Sequence, residues 1–147
     1  MKFKASIEIN QSQHTVAKLF ADPKYLKYYQ DGFVKKELVK GEAGQDGAIS
    51  KMYYKHGKRE MVLAETIVAN KLPQTFEAFY HHKHMDNTFI AKFTKLDDQN
   101  TRYAMEVDYI RMTFLPRLMG FLFPGMYRKQ GQKWMHNFKS FTENYKE

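Results

Sequence analysis

The stretch LPRLMGFLFPGMYRKQGQKWMHNFKSFTENY (residues 115–145) has a helical period, and it comes last in the chain. Leu115, Leu118, Met119, Leu122, Met126, Gln130, Trp134, Phe138, Phe141 and Tyr145 recur about every 3.6 residues, forming one apolar stripe. Arg128, Lys129, Lys133 and Lys139 fall mostly off it. Pro116 suits a first helical turn, whereas Pro124-Gly125 falls inside and should kink or interrupt the helix. Everything between Phe33 and this segment reads as strand. One long helix closing on a sheet already built grips an interior space, and such a space usually holds a small apolar molecule.

Upstream, Phe3, Ala5, Ile7 and Ile9 alternate with polar neighbours, which is the pattern of a strand packed on one face. Asn10-Gln11-Ser12 offers capping before Val16, Ala17, Leu19 and Phe20 at helical spacing. Asp22-Pro23 starts a second short helix carrying Tyr25, Leu26, Tyr28 and Tyr29, and Asp31-Gly32 ends it. Strands are then expected at Phe33–Lys40, Ala48–His56, Arg59–Asn70, Gln74–His82, Thr88–Leu96 and Thr101–Met112. The breaks are short and polar: residues 41–47, His56-Gly57-Lys58, Leu72-Pro73, Met85-Asp86-Asn87 and Asp97-Asp98-Gln99-Asn100. Connections this short join antiparallel neighbours, since parallel strands need longer crossovers. The expected class is α+β: about seven antiparallel strands curved around a long C-terminal helix, with two short helices between the first two strands. Residues 1–147 read as one domain, without repeat or linker.

Composition narrows the function. Hydrophobic residues make up 43% and charged residues 27%, as in a folded globular chain. Twelve Phe, ten Tyr, one Trp and nine Met supply rings and pliable thioethers that fill cores and line adaptable pockets. The absence of cysteine removes disulfide and thiolate chemistry. Lys2-Phe3-Lys4 enters directly into alternation instead of a secretory signal, and the Met112–Met126 window is too interrupted to span a bilayer. A soluble, cytoplasmic protein is expected. The net charge of +8 is diffuse, with no block of five like charges, so it points to no particular partner.

The order of elements resembles the START/SRPBCC superfamily, the helix-grip fold that includes polyketide cyclase/dehydrase-like proteins, over nearly the whole chain. The resemblance is carried by Ile7-Glu8-Ile9 leading into residues 16–23 (VAKLFADP), by Gly41 to Gly47, by Asn100-Thr101-Arg102-Tyr103, and by residues 134–139 (WMHNFK) near the helix end. It implies a cavity between sheet and helix that takes a hydrophobic or amphipathic ligand, with cyclases and dehydratases as a minority of its members.

By alternation and helical phase the candidate ligand-binding residues are Tyr80, His82, Phe89, Phe93, Met105, Val107, Tyr109, Leu118, Leu122, Met126, Trp134 and Phe138. The alternative is that they only fill a solid core. Tyr80, His82, Tyr109 or Trp134 would orient a polar group. In His81-His82-Lys83-His84, His82 and His84 share a strand face at metal-ligand spacing, but no third ligand is evident and no metal is expected. Glu65 and Glu77 are the carboxylates set among apolar neighbours, and burial would suit either to proton transfer. A polar residue in an alternating strand usually faces water, however. No nucleophile elbow, phosphate loop, H-E-x-x-H or dinucleotide fingerprint occurs, so no catalytic residue and no cofactor is assigned.

Nucleic-acid binding would need clustered cations with exposed rings, whereas these rings fall at core-facing phases. Residues 114–124 (FLPRLMGFLFP) are apolar almost all round, amid Arg111, Arg117, Arg128 and Lys129. That pattern favours burial, in the helix start or in a dimer contact, over lying on a membrane surface. The leading expectation is a monomer or homodimer that encloses a small hydrophobic or amphipathic ligand without transforming it. The alternatives are a cyclase/dehydratase-like enzyme using the same cavity, or an interaction module docking a partner through the apolar segment.

Overall fold

A computed structural model describes residues 1–146. Its seven strands are β1 (Lys2–Ile9), β2 (Phe33–Lys40), β3 (Ile49–His56), β4 (Arg59–Lys71), β5 (Thr75–His82), β6 (Met85–Asp97) and β7 (Asn100–Met112). They form one antiparallel sheet in the order β1-β7-β6-β5-β4-β3-β2. Helices α1 (Gln13–Ala21) and α2 (Leu26–Tyr29) sit between β1 and β2, and α3 (Phe114–Leu122) and α4 (Met126–Glu143) close the chain. The curved sheet wrapping a long C-terminal helix is the helix-grip topology expected from the order of patterns.

Local chemistry explains the boundaries. Ser12 caps α1, its hydroxyl accepting from the Thr15 amide at 3.2 Å. Asp22 accepts from the Lys24 amide at 3.0 Å and starts the 3-10 turn Pro23–Tyr25 that leads into α2. Most strands fall within a residue of expectation, but β6 begins at Met85 instead of Thr88. Met85-Asp86-Asn87 is ladder, not turn, because His82 pairs with Met85 and Asp86 is gripped on the outer side. Arg111 Nε donates to Asp86 Oδ2 at 2.8 Å, and His81 Nδ1 lies 2.6 Å from Asp86 Oδ1.

The C-terminal segment breaks where Pro124-Gly125 predicts, with Gly125 in the left-handed region (φ 81°). The break resets the helical phase. Leu118 and Leu122 therefore do not continue the α4 stripe, and Leu122 is exposed. Burial of the α3 segment within its own chain, as the start of the long helix, is also overturned. None of its residues is buried, and Phe114 and Phe121 are 76% and 80% exposed.

Helix α4 lies against β1 and α2. One end of the interior is solid: Phe20 from α1 meets Phe76, Phe93, Tyr103 and Phe138 with ring centroids 5.1–6.1 Å apart. Such edge-to-face contacts each add roughly 0.5–1.5 kcal/mol beyond the area buried.

Candidate functional site

Beyond that aromatic end, the space between sheet and α4 is a cavity of about 750 Å³. The sheet contributes Tyr80 and His82 from β5, Phe89 from β6, and Met105, Val107 and Tyr109 from β7; α4 contributes Met126, Trp134 and Phe138. Three expected residues lie elsewhere. Phe93 is walled off in the aromatic end, edge-to-face with Phe20 and tilted against Tyr103. Leu118 and Leu122 are displaced by the phase change at Pro124-Gly125.

Strand register arranges the lining into bands. Ile67, Ala78, Phe89 and Val107 are consecutive cross-strand partners, and Phe3 continues the row on β1. Two residues further along the strands, Ser50, Glu65, Tyr80, Asn87 and Tyr109 form a second row, every member polar and every member lining the cavity. The next row passes through Met52 and Leu63 toward His82 and Met85. A polar belt thus crosses a mainly apolar wall, with His82, His84 and Gln130 lining the cavity outside it.

At the centre of the belt is Glu65, only 4% exposed. Its Oε1 accepts from Lys36 Nζ at 2.8 Å and its Oε2 from the Tyr80 hydroxyl at 2.7 Å. Lys36 reaches in from edge strand β2, and Tyr54 beside it donates to Gln30 Oε1 at 2.8 Å while stacking on Trp134. Burial, reinforced by the Glu65 charge, holds the Tyr80 and Tyr54 hydroxyls well above the ordinary tyrosine range, so both stay protonated donors. Burial likewise pushes Tyr109 up to about 12. His82 lies at the end lined by Met85, Leu115 and Pro116; burial, aided by His84 and Lys83, lowers its pKa and favours the neutral ring. The His84 amide donates to its Nδ1 at 3.2 Å.

Of the two carboxylates singled out for proton transfer, Glu65 is inside and Glu77 is not among the cavity residues. Glu65 shares the parity of Leu63 and Ile67, a signal present in the sequence. Lys36, Gln30, Ser50 and Asn87 were missed: register alone brings Ser50 and Asn87 into the row, Lys36 reaches Glu65 from β2, and Gln30, at the end of α2, accepts from Tyr54. Among the described residues, no group of three His, Asp or Glu side chains is arranged to hold a metal ion.

No known family's sequence profile matches the chain. No curated protein matches it either. Solved structures do match along its whole length. The Zhui aromatase/cyclase from a Streptomyces species superposes with a TM-score of 0.79 at 8% identity, covering 97% of this chain and 93% of that one. Ara h 8.0201 gives 0.77 at 10% identity over 99% of both chains. A START superfamily protein from Mycobacterium smegmatis gives 0.72 at 10% identity, covering 97% of this chain and 94% of that one. At such identities the likeness is one of fold: this chain has the helix-grip fold of START/SRPBCC-like proteins.

Proposed function

We propose that this helix-grip chain binds a small amphipathic molecule in its cavity, apolar body along the sheet and polar group at the Lys36–Glu65–Tyr80 belt. The observation that carries this reading is a continuous polar row, centred on a buried ion pair, inside a mainly apolar wall. The volume lies within the roughly 300–1,000 Å³ of small-molecule pockets. An occupant with a polar group answers both features. Lys36 keeps N–H groups beyond the one given to Glu65, and Glu65 keeps lone pairs, so the belt can both donate and accept. A hydroxyl or a carboxylate on the ligand fits this pair.

The test uses three ligands with one body: decane, decanol and decanoic acid. Trp134, the only tryptophan, sits on the cavity wall and reports entry by its emission. The alcohol and the acid should bind at least about tenfold more tightly than the hydrocarbon, one well-placed charged hydrogen bond being worth roughly 1.5–3 kcal/mol. Equal affinities, or no binding by any of the three, would refute the reading.

A second reading, acid–base catalysis of the cyclase/dehydratase type, draws support from Glu65 and Tyr80 standing hydrogen-bonded between apolar walls. Turnover of a polyketide-like substrate that survives both Glu65→Gln and Tyr80→Phe would end it.

A further inference from the structure

We propose that α3, with the Phe123 that follows it, is a docking surface for an anionic lipid membrane. A helix on a globular protein ordinarily turns its apolar stripe inward. This one turns apolar residues inward but leaves its largest ones outside as well. Pro116, Met119 and Gly120 face the body of the protein: Pro116 and Met119 line the cavity, the Pro116 carbonyl accepts from the Tyr127 hydroxyl at 2.8 Å, and Gly120 lies against the Tyr127 ring. Phe114, Phe121, Leu122 and Phe123 are 55–80% exposed, and Leu115, which also lines the cavity, is 65% exposed. Ile110, itself exposed, shares a surface groove with Phe121, Arg111 and Arg117, so the apolar area continues onto the end of β7. A contiguous exposed apolar patch of this kind marks an interaction surface.

Charge selects the occupant. Between Asp108 and Glu143 the sequence holds no acidic residue; of its six cations, Arg111, Lys133 and Lys139 are paired with Asp86, Asp31 and Glu143, which leaves the charges of Arg117, Arg128 and Lys129 to this surface. No carboxylate lines the groove beside Phe121. A second copy meeting this face through its own would set cation against cation, whereas an anionic lipid surface complements it while its acyl region takes the rings. Apolar side chains on one face of a short helix with arginines at its border are the arrangement of an interfacial anchor. The inference stands whether or not the cavity takes the ligand proposed above.

The test is co-flotation of the full chain with phosphatidylcholine vesicles, with and without phosphatidylglycerol. Binding is expected to the anionic vesicles and to weaken as salt rises. Phe114→Ser with Phe121→Ser should weaken it at least about tenfold, and Arg117→Gln about fivefold, a juxtamembrane cation being worth about 1 kcal/mol. Circular dichroism checks that the serine variant folds; should it not, Arg117→Gln with Arg128→Gln carries the test. Absence of flotation with anionic vesicles overturns the proposal, as does flotation that the substitutions leave unchanged. Equal flotation with neutral vesicles overturns its anionic part. A dimer in solution that the serine variant dissolves, without vesicle binding, would make the occupant a second copy.

Discussion

Replacing Lys36 with Met isolates what the buried ion pair does. The Nζ–Oε1 distance is 2.8 Å, and the Lys36 and Glu65 side chains are 20% and 5% exposed. Removing the cation leaves a carboxylate inside the cavity with the Tyr80 hydroxyl as its remaining side-chain donor. Breaking a buried pair from one side costs roughly 3–5 kcal/mol; because Lys36 reaches some solvent, about 3 kcal/mol is expected here. At this chain length that lowers the melting temperature by about 6–12 °C. Glu65→Leu should cost less, about 1–2 kcal/mol, since the ammonium it orphans can turn toward water. The double variant Lys36→Met with Glu65→Leu should lie within about 1 kcal/mol of the native chain, because an apolar pair of similar volume replaces the ions. The coupling from the double-mutant cycle is then about 4–5 kcal/mol. Urea unfolding followed by Trp134 emission measures all three. A loss below about 1 kcal/mol for Lys36→Met, or a double variant less stable than either single, would refute the account. The prediction also bears on function: if apolar residues serve the fold as well, the ions belong to the ligand, and the stable double variant should lose its preference for decanoic acid over decane.

On the outer face, hydrogen bonding from Arg111 holds the Asp86 carboxyl at about 2, below its value of about 3.9 in an unfolded chain. The unfolded state therefore takes up this proton first. The stability it provides is present above about pH 4 and fades as pH falls toward 2, so Arg111→Met should flatten the urea midpoint across that window, and an unchanged slope would exclude the pair. Phe138 is fully buried against Phe20, Tyr29 and Tyr103; Phe138→Ala should lose about 3–5 kcal/mol in urea, and a loss under 1 would contradict the solid aromatic end. Trp134 stacks on Tyr54 with centroids 5.9 Å apart. Trp134→Ala should fold and bind decanoic acid about tenfold more weakly by calorimetry, and unchanged affinity would remove it from the site.

Local pattern made the fold legible, because each element was encoded within its own residues: alternation in β1 and β7, a serine cap before α1, Pro124-Gly125 between the last two helices. Cavity residues on strands followed from parity, which is also local. What escaped depends on partners distant in sequence. Ser50, Glu65, Tyr80, Asn87 and Tyr109 come from five strands, and nothing short of the register brings them into one row. Lys36 reads as an ordinary edge-strand lysine until Glu65 is seen beside it. The α3 segment failed for a different reason. Burial was expected because it is apolar all round, yet a helix only nine residues long, hinged at Gly125, can be held by one narrow face.

The belt's position along the strands also makes the cavity a gauge of length. Tyr80 lies on the belt and Phe76, packed on Phe20 at 5.4 Å, closes the strand's far end four residues away. At about 3.3 Å per residue, a tail hanging from the belt has at most about 13 Å to run, alongside the Phe89 ring, before it reaches the Phe76–Phe20 pair. A polar group moved along a ligand must drag its tail into that stop or pull its head off Lys36. Two isomers of equal hydrophobicity would then differ in affinity by where the oxygen is attached, and trimming Phe76 would shift the preference toward longer tails.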